Sequence, residues 1–171
     1  MKKLFLLLST IALSATTYAQ GNFHAEDGKL VWEREIQSTN ADVVTILDRE
    51  PNLKITGLMD NVYKGVAFNI TPNCPDASAL LKNECKFEFF IIVNPESYVV
   101  KIENFKMLEH YGPMGARVMA NRSEKYYLDS DGKMRNDADT INDLNNLDRY
   151  LNAIFALPAA SQQRALTSNK K

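Results

Sequence analysis

Histidine and cysteine are scarce in this 171-residue chain, two of each, and tryptophan occurs once. The scarcity leaves little material for general-base or metal chemistry. His24 stands near the N-terminus and His110 in a glycine-rich stretch, and there is no His-Glu-x-x-His, Gly-x-Ser-x-Gly, P-loop or clustered Cys/His spacing. No serine has a nucleophile-elbow context, so a Ser-His-Asp arrangement would rest on His110 alone. Asp129-Ser-Asp-Gly132 invites a calcium reading, but its glycine falls at position four, where an EF-hand loop needs it at position six. The expectation is a non-enzyme with no metal and no cofactor.

Charge of one sign is also lacking. There are 20 basic and 21 acidic residues, and without Lys2 and Lys3 the balance becomes 18 against 21. Such a chain is a poor partner for nucleic acid or an anionic membrane surface. Arg117, Arg122, Lys125, Lys133 and Arg135 form a loose basic stretch, but Glu124 and aspartates interleave it and a solvated surface is the plainer account. Repeats and low-complexity blocks are absent, and beyond Leu13 no stretch approaches the roughly 18 apolar residues of a membrane span.

What is present begins with an address. Lys2-Lys3, the apolar run Leu4 to Leu13 and Thr17-Tyr-Ala19 before Gln20 have the form of a secretory signal peptide over residues 1–19. No cysteine follows the cleavage site, so no lipid anchor is expected. The mature chain is expected in the periplasm or outside the cell. In an oxidising compartment Cys74 and Cys85 would form a structural disulfide, closing a loop of about a dozen residues for about 3 kcal/mol.

Three alternating runs form the centre of the chain: Val62–Ile70, Lys86–Val93 and Tyr98–Phe105. They read as an antiparallel meander. A turn at Asn94-Pro-Glu-Ser97 pairs Val93 with Tyr98, Ile91 with Val100 and Phe89 with Ile102 on one side. Pairing Cys74 with Cys85 would set Ile70 against Phe89, Phe68 against Ile91 and Val66 against Val93. Before the meander, residues 20–28 read as a flexible entry segment, Lys29–Ile36 as a strand, and Ser38 or Thr39 as the cap of a helix running to Pro51. Leu53–Gly57 reads as another strand, and Asp76 as the cap of a helical turn at Ala77–Leu81. After the meander, His110 to Arg117 reads as a loop, with strand pieces at Val118-Met119 and Lys125–Leu128. A helix follows from about Asp139 to Ala156, with Ile141, Leu144, Leu147, Leu151, Ile154 and Phe155 at helical spacing. Residues 157–171 read as a polar tail.

Trp32, Val43-Val-Thr-Ile-Leu47, the meander and Leu147-Asp-Arg-Tyr-Leu-Asn-Ala-Ile-Phe155 resemble a family of small exported Bacteroidota proteins of unknown function with a TBP-like fold. The resemblance covers about residues 27–156. It implies one α+β domain over residues 29–156: a curved antiparallel sheet of about five strands with two helices on one face, in the order β-α-β-β-β-β-α. It implies no activity, and fold alone transfers none.

If Phe89, Ile91, Val100 and Ile102 face the helices, the opposite face carries Tyr63, Phe90, Ile92, Val99 and Phe105 among Lys86, Glu88, Lys101 and Glu103. A solvated face would be polar throughout, whereas an apolar patch rimmed by charge marks a contact surface. The expected function is therefore a binding or accessory module of the cell envelope. Its open face would contact an envelope protein or a second copy, unless the 108–128 loop covers it. The alternative is a small-ligand carrier with a pocket lined by Trp32, Phe89 and Phe155.

Overall fold

The meander is the middle of a larger sheet. The computed structural model describes residues 21–38, 43–72, 74 and 77–156. Its strands are β1 (Phe23–Glu26), β2 (Lys29–Gln37), β3 (Leu53–Met59), β4 (Val62–Ile70), β5 (Glu84–Val93), β6 (Ser97–Tyr111) and β7 (Arg117–Arg122). Helices are α1 (Val43–Arg49), α2 (Glu124–Tyr127) and α3 (Ala138–Phe155), with a 3-10 turn at Leu80–Lys82. The expected signal peptide and tail and the capping positions Thr39 and Asp76 lie outside the described residues.

All neighbouring strands are antiparallel, in the order β1-β2-β6-β5-β4-β3, and β7 pairs with β6. β6 is 15 residues long. Its Ser97–Ile102 half pairs with β2 and its Lys106–Tyr111 half with β7, while β5 lies along the other edge. The fold is α+β with an open antiparallel sheet, as expected, but the described residues form seven strands where about five were expected. β1 comes from the segment expected to be flexible, and β7 lengthens the strand piece expected at Val118-Met119. Lys125–Leu128, expected as a strand, begins as the short helix α2.

The β5–β6 register is the expected one from Val93↔Tyr98 to Phe89↔Ile102. The β4–β5 register is not. Gly65 faces Phe89, Tyr63 faces Ile91 and Ile70 faces Cys85. Shifting a pairing by an odd number of residues turns a strand over. Tyr63, Gly65 and Ala67 therefore point toward the helices, and Val62, Lys64 and Val66 away. A bulge at Phe68-Asn69 opposite Lys86 then returns Ile70 to the core. A second bulge, Asn104-Phe105 opposite Phe87, does the same on β6. Asn69 and Asn104 carry the positive φ of the two kinks, 51° and 53°. Asparagine tolerates that left-handed geometry better than most residues.

The disulfide expected between Cys74 and Cys85 is not formed; both are free thiols. The β4–β5 connection is longer than a hairpin loop. Cys85 is buried in the core opposite Ile70 and Met107, and its thiol is pushed up to about 12 by burial. The Cys74 thiol instead donates to the Asn146 carbonyl of α3 at 3.6 Å.

The core is the layer between the inner face and the helices. α3 contributes Leu144, Leu147, Leu151, Ile154 and Phe155, one stripe at helical spacing, and α1 contributes Val43 and Ile46. Each such side chain, fully buried, stabilises by about 1.5–3 kcal/mol. Both ends of α3 are closed. Asp137 accepts from the Thr140 amide and hydroxyl, each at 2.9 Å. At the other end Arg49 of α1 donates to the Ala153 and Ala156 carbonyls at 3.1 and 2.7 Å, and the Tyr98 hydroxyl donates to the Phe155 carbonyl at 2.7 Å.

Candidate interaction surface

The strand registers sort the outer face into cross-strand rows. The first, beside the 94–97 turn, is Met59, Val62, Ile92 and Val99, apolar across four strands. Met59 is 73% exposed, and the other three are half-buried. The next row, on β4, β5, β6 and β2, is Lys64, Phe90, Lys101 and Glu33. The Lys64 ammonium lies 5.4 Å from the Phe90 ring centre, which leaves Phe90 half-buried. The third row, Lys54, Val66, Glu88 and Glu103, is where acids meet bases. Glu88 pairs with Lys64 at 3.3 Å and accepts from the Asn104 amide at 3.1 Å. Lys101 pairs with Glu103 at 3.2 Å and with Glu26 at 2.8 Å; their shared hydrogen bond lowers the Glu26 pKa and raises that of Lys101. Beyond the bulges come a row of Lys86, Lys106 and Arg122 and, past it, a row of Glu84, Leu108 and Ala120.

Of the five residues expected on this face, the structure brings Phe90, Ile92 and Val99 together. The other two are turned away. Phe105 is 2% exposed and stacks on Phe87 at 5.3 Å, because the bulge at Asn104 reverses the alternation. Tyr63 packs half-buried against the core, because the register places it beside Ile91. Val62 and Val66 stand outward in their stead. The 108–128 segment forms the end of β6, β7 and α2, pairing at the sheet edge. Phe90 is left half-buried.

The pocket expected between sheet and helix is filled by its own lining. Trp32, Phe89 and Phe155 are each fully buried, with Phe155 5.5 Å from Phe89 and 6.3 Å from Trp32 between ring centres. The Trp32 indole N–H donates to Asp148 of α3 at 2.8 Å, and the same carboxylate accepts from the Asn22 backbone and side chain at 3.1 and 2.7 Å. These rings join the layers. Nothing in their periodicity announced Asp148 as the group that ties the start of the chain to the last helix.

The remaining candidates have local duties or open surroundings. His24 is exposed on β1 and His110 on the far half of β6, opposite Val118. Asp129 accepts the backbone N–H groups of Asp131 and Lys133, each at 2.9 Å, as an acidic turn does. Asp143 is a buried carboxylate that no motif or spacing in the sequence marks. It accepts from the Ser78 amide and hydroxyl at 3.1 and 2.6 Å and holds the β4–β5 connection to α3. Among the described residues no helix is long and apolar enough to cross a membrane.

No family model matches the chain, and no curated protein matches it. Two solved structures are similar to it. One is a DUF4468 family protein from Bacteroides ovatus, 16% identical, covering 81% of this chain and 92% of its own, with a TM-score of 0.46. The other is a TBP-like protein from Parabacteroides distasonis, 12% identical, covering 85% and 97%, with a TM-score of 0.47. Both organisms belong to the Bacteroidota.

Proposed function

We propose that the chain is an exported, non-catalytic binding module of the bacterial cell envelope, and that it contacts a protein partner through its outer sheet face. The observation that carries this reading is the apolar row Met59, Val62, Ile92 and Val99. It crosses four strands on the side of the sheet opposite α1 and α3. One solvated face is ordinary for an antiparallel sheet, but a continuous apolar row on it is not. The leader at residues 1–19 supports export, and the partner is an envelope protein or a second copy.

The test is affinity capture from an envelope extract with tagged mature chain, wild type beside Ile92→Glu, with the mass of the isolated chain measured in parallel. Ile92 is at the centre of the row, and its side chain points away from the core. Val118→Glu, an exposed apolar position on β7, controls for general stickiness. The expected result is an envelope protein or a second copy that is held by wild type and Val118→Glu and lost from Ile92→Glu. Equal capture by all three, or a monomer that captures nothing, would end the reading.

A further inference from the structure

Beyond the two bulges from the apolar row, one row short of Glu84, Leu108 and Ala120, Lys86, Lys106 and Arg122 stand directly opposite one another on β5, β6 and β7. Residues in direct register share a face, and adjacent strands are about 4.8 Å apart, so three positive charges share a strip about 10 Å wide. Like charges placed opposite each other oppose sheet pairing. No ion pair relieves them among the described residues. The nearby acids are engaged elsewhere: Glu88 with Lys64 and Asn104, Glu103 with Lys101. Glu84, two residues from Lys86 along β5, makes no ion pair with either lysine. By contrast, Lys64 and Lys101, the other cations of β4–β6 on this face, are both paired.

The backbone adds a shape to the charge. The bulges of β4 and β6 fall at one level, on either side of Lys86-Phe87, and leave a hollow of about 180 Å³ lined by Lys86, Lys106, Glu88, Asn104 and Val66. Two of the three cations line it, and Arg122 is one strand further out, opposite Lys106 on β7. We propose that this row binds a tetrahedral oxyanion of the phosphate or sulfate type. Lys86 and Lys106 act as point charges over the hollow, and Arg122 supplies the planar two-donor contact that such a group accepts. A doubly charged group bridges two strands, where one carboxylate would satisfy a single cation. The proposal is independent of whether the apolar row docks a protein.

The test uses the mature full chain, with amide shifts followed by NMR during a titration with inorganic phosphate at constant ionic strength. Vesicles of phosphatidylglycerol, against phosphatidylcholine, separate a lipid phosphate from a free one. Saturable shifts confined to residues 84–88, 104–108 and 120–122 are expected, weakened about tenfold or more in the Lys86→Gln/Lys106→Gln double variant and unchanged in Lys54→Gln. Thermal unfolding gives a second readout. Without ligand, Lys106→Gln should melt at or above the wild-type temperature because repulsion is relieved, yet it should lose the stabilisation that phosphate confers. Binding to phosphatidylglycerol vesicles alone would keep the site and name a lipid headgroup as its source. Shifts reproduced by sodium chloride, binding retained in the double variant, or binding only of an acidic peptide would each overturn the proposal.

Discussion

Gly65 lies beneath the ring of Phe89, and the contact shows how little room a register leaves to a single residue. A Cβ built at Gly65 would be 2.2 Å from the far edge of the Phe89 ring, with two further ring atoms at 2.6 and 2.7 Å. Phe89 cannot swing aside, because Phe155 packs against it from α3. Gly65→Ala is therefore expected to destabilise the fold by about 1–3 kcal/mol, as added methylenes in tight cores do. Urea unfolding followed by the emission of Trp32 checks this, and an unchanged midpoint would contradict the packing described. The glycine was visible in the sequence, but its reason was not. With Ile70 set against Phe89, Gly65 becomes an outward residue of no consequence. The two cysteines misled for the same reason: chemistry suited to export made a register look specified that the hydrophobic contacts do not adopt.

Among the elements, α3 was the most legible, because an 18-residue amphipathic helix repeats its signal many times. Its cap is also the clearest source of a pH effect. The backbone and side-chain hydrogen bonds from Thr140 hold the Asp137 carboxyl below its usual pKa. A carboxyl with a lowered folded pKa is protonated first in the unfolded chain. The stability it contributes is thus complete above the ordinary aspartate value and is lost as pH falls through the folded one. Asp137→Ala should lower the unfolding midpoint at neutral pH and flatten its dependence on pH in the acid range. Denaturant titrations between about pH 2.5 and 7 would show both. A parallel offset at every pH would mean that the cap acts without its charge. The bulges on β4 and β6 were the least legible elements. Their only signal is an asparagine inside an alternating run, Asn69 and Asn104, which ordinary alternation passes over. Each bulge reverses the faces of everything beyond it, and so Phe105 exchanged the open face for the core.

For the whole molecule, the order strand, helix, meander, helix was legible; of the two strands that complete the sheet, β1 was not, and β7 was legible only as the piece Val118-Met119. Phe23–Glu26 and Arg117–Arg122 lack a sustained alternating pattern. They become strands because β2 and the long β6 offer them an edge, a case of tertiary pairing overriding local preference. That history predicts a gradient of stability across one sheet. β5 has a neighbour on both sides along its length, and β6 is flanked by β5 with either β2 or β7, whereas β7 has one partner and almost no buried side chain. Local opening follows buried contacts and paired backbone. Hydrogen exchange at low protein concentration should therefore be slowest at the amides of β5 and of Tyr98–Met107, and fastest among the strands in β7. Protection of Arg117–Arg122 equal to that of β5 would refute the gradient. Repeating the exchange at rising concentration then bears on the proposed surface. New protection at Val62, Ile92 and Val99 with β7 unchanged would locate self-association on the apolar row, and protection gained first along β7 would move it to the sheet edge.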